Sequence, residues 1–385
     1  LFNLRRYAAR HGDSFFYVGW LAEDAVKAFE KHARKLRKVT YEINDTDEVG
    51  KTIPPVKLKN PRIFRPFEYL VGMFGLPSGK DIDVTAFVAI TYTVMFGIMF
   101  GDFGQGVVLG IAGFLMWKLK GMQIGKILVP CGVSACVFGL VYGECFGYET
   151  WFDPLYHAVG LSGKPVDIME SITGLLLVSI GIGVVLLVFT MLINIYGCLK
   201  HKKFGEALFS QSGLTGIVLY LSGVCFVYNF ITSKTIVPNA VLGVLIGIAC
   251  IILFFKEILI GLIDHHPDWK PESITDYILE NFFELFEYIL SFFSNTISFL
   301  RIGAFVLVHA GMMTAVFAIA GLTSSTVVNL IVVVLGNIFV MCLEALFTSI
   351  QVMRLEFYEL FSRCYAGEGR SFEPVLLHHV SESIQ

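Results

Sequence analysis

The chain has 385 residues, 55% of them hydrophobic and 16% charged, with a mean hydropathy of +0.69. An average soluble chain carries about 25% charged residues, so this composition excludes an ordinary soluble protein. The net charge of −3 and the short basic clusters give no indication of nucleic-acid binding. Several apolar runs of about 20 residues instead predict a polytopic, mainly α-helical membrane protein. The eight cysteines form no CxxC pair, so no metal site is predicted.

Residues 1–60 differ in kind from the rest and predict the end of a cytoplasmic α/β domain followed by a linker. The predicted elements are a buried strand at 15–21, an amphipathic helix at Glu23–Arg37 and a second strand at 39–43. Four prolines between 44 and 66 favour an extended linker, and 61–83 is expected to enter the membrane surface. The chain starts at Leu1 without a methionine, and we expect that the beginning of a longer protein is missing.

Eight apolar runs predict eight transmembrane helices between 84 and 360, and 361–385 is expected to be a cytoplasmic tail. Their predicted bounds are 84–100, 104–118, 124–147, 170–197, 208–231, 236–262, 285–320 and 327–360. The last two runs exceed the roughly 20 residues that one crossing needs, so we expect long, tilted helices.

Basic residues cluster in the loops after the second, fourth and sixth predicted spans. These loops carry Lys118, Lys120 and Lys126, then Lys200, Lys202 and Lys203, then Lys270. Cytoplasmic loops are enriched in lysine and arginine, so the pattern predicts that both termini are cytoplasmic.

The seventh predicted span contains Arg301 near its middle, where an unpaired guanidinium costs roughly 2.5–3.5 kcal/mol on insertion scales. With about 3.6 residues per turn, the same helical face carries four upstream polar side chains. They are Glu287, Ser291, Ser294 and Ser298. His309 lies eight residues beyond Arg301, about 12 Å farther along the helix. The spacing predicts a polar track through an apolar helix.

The eighth predicted span repeats the pattern on one face, with Glu344, Thr348, Gln351 and Arg354. Serine and threonine commonly form hydrogen-bonded seams between membrane helices, and that interpretation stays open for the hydroxyl groups. Charged side chains within spans more often mark an ion pathway, which we expect for Arg301, Arg354, Glu344 and Glu287. For His309 alone, a hydrogen-bonded core histidine is an equal alternative.

Two acids lie at the ends of early spans, Asp102 in GIMFGDFGQG and Glu144 in YGECFG. Asp102 is explained equally well as a turn or capping residue beside glycines and as a group lining the outer mouth of an ion path. Glu144 is expected either to extend its side chain to the membrane surface or to line the same path.

Four stretches together resemble subunit a/I of the V-type and archaeal or bacterial A-type rotary ATPases. They are PVKLKNPRIFRPFEYLVGMFGLPS at 55–78, FGIMFGDFGQG at 96–106, SNTISFLRIGAFVLVHA at 294–310 and AGEGRSFEP at 366–374. The resemblance covers nearly the whole chain, and the patterns FLRxxAxxLxHA and FGDxGxG are specific in combination.

The resemblance implies an eight-helix stator beside a rotating ring of proteolipid (c/K) subunits, each with one carboxylate that takes up H⁺ or Na⁺. It also implies peripheral-stalk subunits, a central-stalk connector and membrane lipid as partners, in what is expected to be a prokaryotic cell membrane. No cofactor is expected to bind directly. The sequence has no GxxxxGK[ST] phosphate loop, so ATP chemistry is expected on other subunits.

The family's essential arginine falls on Arg301, and the resemblance extends ion translocation to a further four residues. They are Arg354, Glu344, Gln351 and His309. Gln351 and Gln105 stand where some members have histidine, and a glutamine cannot relay protons.

Two aqueous half-channels that meet the ring on either side of Arg301 are implied as well. The cytoplasmic one is assigned Glu287, Ser291, Ser294 and Ser298. The outer one is assigned Glu344 and His309, with Asp102, Glu144 and Thr348 as further candidates.

A secondary ion-coupled transporter is the alternative function. It would favour inverted repeats and interrupted helices near the membrane midplane, and the sequence has no evident repeat. A membrane anchor for a soluble complex explains residues 1–60 but not the two arginines.

Overall fold

The structure is a computed structural model that describes residues 8–12, 14–36, 38–44, 54–78, 82–148, 151–159, 172–232, 237–263, 274–322, 325–364, 367 and 369–372. It contains two compact units. One comprises Leu1–Leu58, Gly75–Asp81 and Gly367–Gln385, and the other comprises Lys59–Phe74 and Ile82–Ala366. Lys270, which contributes to the predicted membrane orientation, lies outside the described residues.

The first unit contains a hairpin, one helix and a short parallel strand pair. Its elements are β1 (Ala8–His11), β2 (Ser14–Tyr17), α1 (Glu23–Ala33), β3 (Pro55–Val56) and β4 (Arg370–Ser371). Strands β1 and β2 pair antiparallel, and β3 pairs parallel with β4. The hairpin turns through Gly12 at a φ of +60°, a conformation that costs glycine little.

The buried strand predicted at 15–21 is present only in its first three residues, within β2. Its side chains are exposed, and Phe15 retains 61% of its accessible surface. Strand β2 pairs only with β1 among the described residues, so the hairpin is a two-stranded sheet, which is marginally stable by itself.

The remaining α/β prediction holds for the helix but not for the second strand. The helix begins at Glu23 as predicted and ends at Ala33 rather than Arg37. The stretch 39–43 is not a strand, because a strand needs a partner for its backbone groups and these described residues have none. Tyr41 packs edge-on against Phe29 instead, with ring centroids 5.8 Å apart.

The second unit is helical in nearly all of its described residues. A 3-10 turn at Arg65–Phe67 leads into the first helix, and a π-helical segment, Leu355–Phe361, joins the last two. The helices are α2 (Glu68–Phe74), α3 (Thr85–Phe100), α4 (Phe103–Lys120), α5 (Gln123–Tyr142), α6 (Asp153–Val159), α7 (Ile172–Lys200), α8 (Phe204–Phe209), α9 (Leu214–Thr232), α10 (Asn239–Phe254), α11 (Lys256–Ile263), α12 (Ile274–Ser298), α13 (Leu300–Gly321), α14 (Thr326–Arg354) and α15 (Ser362–Cys364).

Five helical stretches of the described chain are long and apolar enough to cross a membrane. They are Gln123–Tyr142, Ile172–Lys200, Phe204–Thr232, Ile274–Gly321 and Thr326–Cys364. Helices α10 and α11, bent by 66°, count as a sixth if they form one span. The predicted first two spans form α3 and α4, but α3 has only 16 residues and α4 ends in two lysines. The described residues therefore support a multi-pass membrane protein with five or six candidate spans, and the predicted count of eight is not confirmed.

The last two predicted spans lie within continuous helical stretches of 48 and 39 residues, in agreement with the expectation of long helices. The first of them tightens at Phe299, whose N–H bonds to the Thr296 carbonyl oxygen at 3.3 Å, three residues back. Such a 3-10 step shifts the angular position of the side chains that follow it. Arg301 and the upstream serines are therefore not on one undistorted helix.

Helices α4 and α5 pack against each other along glycine-bearing faces. A Cβ atom on Gly132 would lie 2.7 Å from the Cα atom of Gly110, closer than real side chains come. Small residues allow membrane helices to approach this closely. The same hairpin holds the turn at Asp102 against α13, so its packing fixes one wall of the site described below.

We expect Gly132→Ala to lower the free energy of unfolding by about 1–3 kcal/mol, because the added methyl group meets backbone atoms that cannot yield. The matched control is Gly181→Ala on α7, where a Cβ would have nothing within 4 Å. Thermal unfolding of the two variants in detergent measures the difference. Equal stabilities would contradict close α4–α5 packing.

Candidate functional site

His309 on α13 is surrounded by three carboxyl groups from three other parts of the chain. Its Nδ1 atom lies 2.5 Å from Glu344 Oε2 on α14. Its Nε2 atom lies 3.5 Å from Glu144 Oε2 and 3.7 Å from Asp102 Oδ2. All four side chains are buried, with residue exposures between 0 and 4%. The structure thus brings together the four titratable residues that the sequence assigned to the outer half-channel, and we call them the His309 cluster.

Asp102 has the capping and turn role that its sequence context allowed. It is the N-cap of α4, accepting from the Gln105 backbone N–H at 2.8 Å. It also accepts from the backbone N–H groups of Phe146 at 3.0 Å and Gly147 at 2.8 Å. The turn that follows α5 is thereby attached to the start of α4. Three donated hydrogen bonds satisfy a buried carboxylate without a lysine or arginine beside it.

Glu144 lies just beyond α5 and is 4% exposed. The sequence left open that it extends to the membrane surface, and its burial excludes that alternative. Its neighbour Gly143 ends α5 in a left-handed conformation with φ of 77°, which turns the chain inward. The acid therefore points toward His309 rather than toward solvent or lipid headgroups.

A second layer of polar groups borders the His309 cluster. Gln105 donates from Nε2 to Asn337 Oδ1 at 3.1 Å, and both residues are buried. Thr348, one turn beyond Glu344, is 1% exposed. Among the described residues, no group of His, Cys, Asp or Glu side chains has the arrangement of a metal site. The geometry of the cluster therefore does not indicate a metal centre, whereas its imidazole and carboxyl groups are all able to exchange protons.

Arg301 occupies a different environment on the same helix. It is half-buried, and its Nη2 atom donates to Ser298 Oγ at 3.1 Å. Arg354 on α14 and Glu359 in the π-helical segment both lie close enough to act on it electrostatically. Glu359 also interacts with Ser298, so that hydroxyl group lies between the acid and the guanidinium.

The structure divides the predicted cytoplasmic track. Glu287 and Ser294 are exposed, whereas Ser291 and Ser298 are half-buried. Ser291 accepts from Arg363 Nη2 at 2.6 Å, and Ser298 accepts from Arg301. The four residues therefore do not form one continuous contact with Arg301. On α14 the exposure of the polar face increases along the helix. Glu344 and Thr348 are buried, Gln351 is half-buried and Arg354 is exposed.

Three buried charged residues at the end of the last helix were missed by the sequence argument: Glu356, Glu359 and Arg363, exposed by 1, 4 and 7%. Glu356 Oε1 accepts from Thr91 Oγ1 on α3 at 2.5 Å. The three residues are spaced by three and four, so they continue one helical face beyond Arg354. That spacing is the sequence signal by which these three residues could have been found.

Lys256 was also missed. It follows the bend between α10 and α11 and contacts Glu284 and the Tyr288 hydroxyl group on α12. A lysine in an apolar region needs a partner, and the ion pair with Glu284 neutralises Lys256 where the chain bends by 66°.

Comparison with known proteins agrees with the sequence resemblance. The profile of the V-type ATPase 116kDa subunit family matches residues 2–153. The A-type ATP synthase subunit I of Pyrococcus horikoshii is 26% identical over 393 residues, covering 97% of this chain and 55% of the relative. The subunits I of Methanocaldococcus jannaschii and Archaeoglobus fulgidus are each 27% identical, covering 94% of this chain and 55% and 58% of the relatives.

The chain is similar to the V-type and A-type ATPase subunit a/I family. It spans about half the length of the curated relatives that it matches. The several long apolar helices of the described chain agree with this similarity to a membrane subunit.

We expect Asp102→Ala to lower the free energy of unfolding by more than about 2 kcal/mol, because each buried N–H left without an acceptor costs about 1–3 kcal/mol. Asp102→Asn keeps one acceptor oxygen and is expected to lose less. Chemical unfolding in detergent, followed by circular dichroism, compares them. Equal losses would show that the three N–H groups do not depend on Asp102.

Proposed function

We propose that this chain is the stator membrane subunit of a V/A-type rotary ATPase and moves H⁺ or Na⁺ against a rotating proteolipid ring. The observation that carries the proposal is the pairing of two environments on α13. The buried His309 cluster and the half-buried Arg301 lie eight residues apart, about 12 Å along one helix. The archaeal relatives, which are subunits of A-type ATP synthases, support the same function.

The His309 cluster supports an outer half-channel. Its imidazole and three carboxyl groups can each take or give up a proton, and they lie within 3.7 Å of the imidazole nitrogens. Lines of ionisable groups within membrane helices mark proton and ion paths. Thr348 and Gln351 follow Glu344 along α14 toward Arg354. Ions from the outer side would pass the cluster and continue along this face.

The position of Arg301 supports a role in the release of the ion from the ring carboxylate. A carboxylate that faces lipid must be neutral, by protonation or by bound Na⁺, because an isolated charge is costly in an apolar medium. The guanidinium of Arg301 favours the anion and therefore promotes release of the ion as the carboxylate arrives. Its fixed positive charge also repels a cation that would otherwise leak between the two half-channels.

The cytoplasmic half-channel is proposed along the exposed side of α12. Glu287 and Ser294 are exposed on this helix, two turns apart, and are accessible to an adjacent ring. Ser298 connects this face to Arg301. Ser291 is held by the positively charged Arg363, so we place it beside the path rather than in it.

The remaining parts of the proposal concern topology and assembly. Helices α3 and α4 would complete eight spans, with both termini cytoplasmic in a prokaryotic cell membrane. The ring, the peripheral stalk and the central-stalk connector would be the protein partners, and other subunits would carry out ATP chemistry. The similarity to archaeal A-type ATP synthase subunits I supports these assignments.

Glu359 is proposed as the internal counter-ion of Arg301. Two guanidinium groups and one buried carboxylate meet at this position, and Ser298 lies between the acid and Arg301. One carboxylate leaves one positive charge uncompensated, which matches the single negative charge that a ring subunit delivers. Glu359 would therefore moderate the strength with which Arg301 and Arg354 retain the ring carboxylate.

Replacing Arg301 with alanine is expected to reduce ATP-driven ion pumping to background in vesicles containing the whole complex, because nothing then favours the ring anion. Subunit composition on a native gel should be unchanged. Arg34→Ala is the control, since its side chain is 73% exposed in the first unit. Normal pumping by the Arg301 variant would overturn the assignment.

The outer path is tested by Glu344→Gln, which keeps the shape of the side chain and removes its charge beside His309. We expect the pumping rate to fall at least about tenfold, the equivalent of about 1.4 kcal/mol in the barrier. Glu42→Gln alters an exposed acid outside the helices and should pump normally. Equal rates in the two variants would argue against a path through α14.

For Glu359→Gln, the concentration of H⁺ or Na⁺ required for half-maximal transport is expected to rise. Two guanidinium groups without their internal acid would hold the ring carboxylate as an anion more strongly, and reloading with the ion would become harder. Glu359→Asp retains the charge and should restore the wild-type concentration dependence. Titrating each ion separately also identifies the ion that is transported.

A further inference from the structure

A polar cavity of about 380 Å³ lies between the ends of several helices, away from Arg301 and the His309 cluster. Its wall is formed by the end of α7, by α8, by the bend at α11, by α12 and by α15. Its charged lining residues are Lys256, Arg363 and Glu206, and its neutral polar lining includes Asn194, Gln211 and Ser362. A small-molecule site typically has a volume of about 300–1,000 Å³, so this space exceeds the needs of a single ion.

Arg363 is the unusual member of this wall. It is only 7% exposed, and its described contacts are neutral ones. It donates to Ser291 Oγ at 2.6 Å and lies 4.9 Å from the centroid of the Phe292 ring. Among the described residues, no carboxylate forms an ion pair with it. A buried guanidinium without an acid is costly unless an anion completes its environment.

The other two charges do not supply that anion. Lys256 is paired with Glu284, and it also contacts the Tyr288 hydroxyl group. Glu206 is paired with Lys203 at 2.9 Å. Each of these pairs is internally neutral, so the positive charge of Arg363 remains, and the cavity favours an anionic ligand over a cation.

The position of the cavity indicates the source of the anion. The cavity borders Cys198 and Glu206, where the apolar helix α7 ends and the lysine-rich loop of Lys200, Lys202 and Lys203 follows. Two apolar side chains near this loop, Leu199 and Phe204, are 46% and 51% exposed. Basic pockets between membrane helices at this level accept anionic lipid headgroups, and guanidinium groups bind phosphate oxygens in pairs. The apolar side chains next to the loop offer a surface for acyl chains.

We propose that this cavity binds the phosphate group of an anionic membrane lipid, with Arg363 as its charged ligand. The site would attach lipid to α7, α11, α12 and α15 together. It does not depend on the ion path, because Arg301 and the His309 cluster take no part in it. Free phosphate shares the headgroup chemistry and is separated from lipid by the experiment below.

The test uses the purified complex after delipidation, with phosphatidylglycerol, phosphatidylcholine or inorganic phosphate added in turn. Native mass spectrometry counts bound lipid, and the shift in unfolding temperature gives the apparent affinity. We expect saturable binding of phosphatidylglycerol, at least about tenfold tighter than that of phosphatidylcholine. Equal binding of the two lipids, or equal stabilisation by inorganic phosphate, would overturn the lipid assignment.

Three variants localise the binding. Arg363→Gln should weaken phosphatidylglycerol binding at least about tenfold, and Arg363→Lys should retain most of it, because a point charge still attracts phosphate. Ser362→Phe fills the cavity from an exposed position and should also abolish binding. This variant tests the cavity independently if Arg363→Gln does not fold. Lys120→Gln removes an exposed charge elsewhere on the chain and should bind normally. Undiminished binding to Arg363→Gln and Ser362→Phe would exclude this cavity.

Discussion

The contact between His309 and its three buried carboxyl groups determines how four parts of this chain are arranged. Glu344 comes from α14, Asp102 from the turn between α3 and α4, and Glu144 from the turn after α5. None of these groups is stable alone in an apolar interior, since a buried polar group needs partners. Each helix is therefore held at the depth where its acid meets the imidazole. Apolar packing fills the space between the helices, but the cluster sets their register.

Asp102 connects this register to the backbone. Its carboxylate accepts from Gln105, Phe146 and Gly147 while lying near His309. One side chain thus caps α4, fixes the turn after α5 and borders the cluster. The capping contacts and the contact with the imidazole are combined at the same carboxylate. This explains why the local sequence, a glycine-flanked aspartate, allowed two interpretations without favouring one.

The sequence was sufficient where a pattern is local to one helix. Apolar runs located nearly every long helix, and residue spacing placed Glu344 and His309 on polar faces that the structure brings together. It was insufficient where the partner is distant in the chain. Glu356 meets Thr91, which lies 265 residues away, and no spacing on either helix indicates that contact. The strand predicted at 39–43 failed for the related reason that a strand depends on a partner outside its own sequence.

Two arginines contact hydroxyl groups on α12, and their different surroundings separate their roles. Ser291 and Ser298 are seven residues apart, about two turns, yet the first is held by Arg363 and the second by Arg301. Arg363 is buried and has only neutral described contacts, whereas Arg301 is half-buried beside Arg354 and Glu359. A cation moving along α12 would be repelled from the side that Arg363 occupies. The exposed side that carries Glu287 and Ser294 has no arginine contact among the described residues, so electrostatics favours this side for the proposed cytoplasmic half-channel.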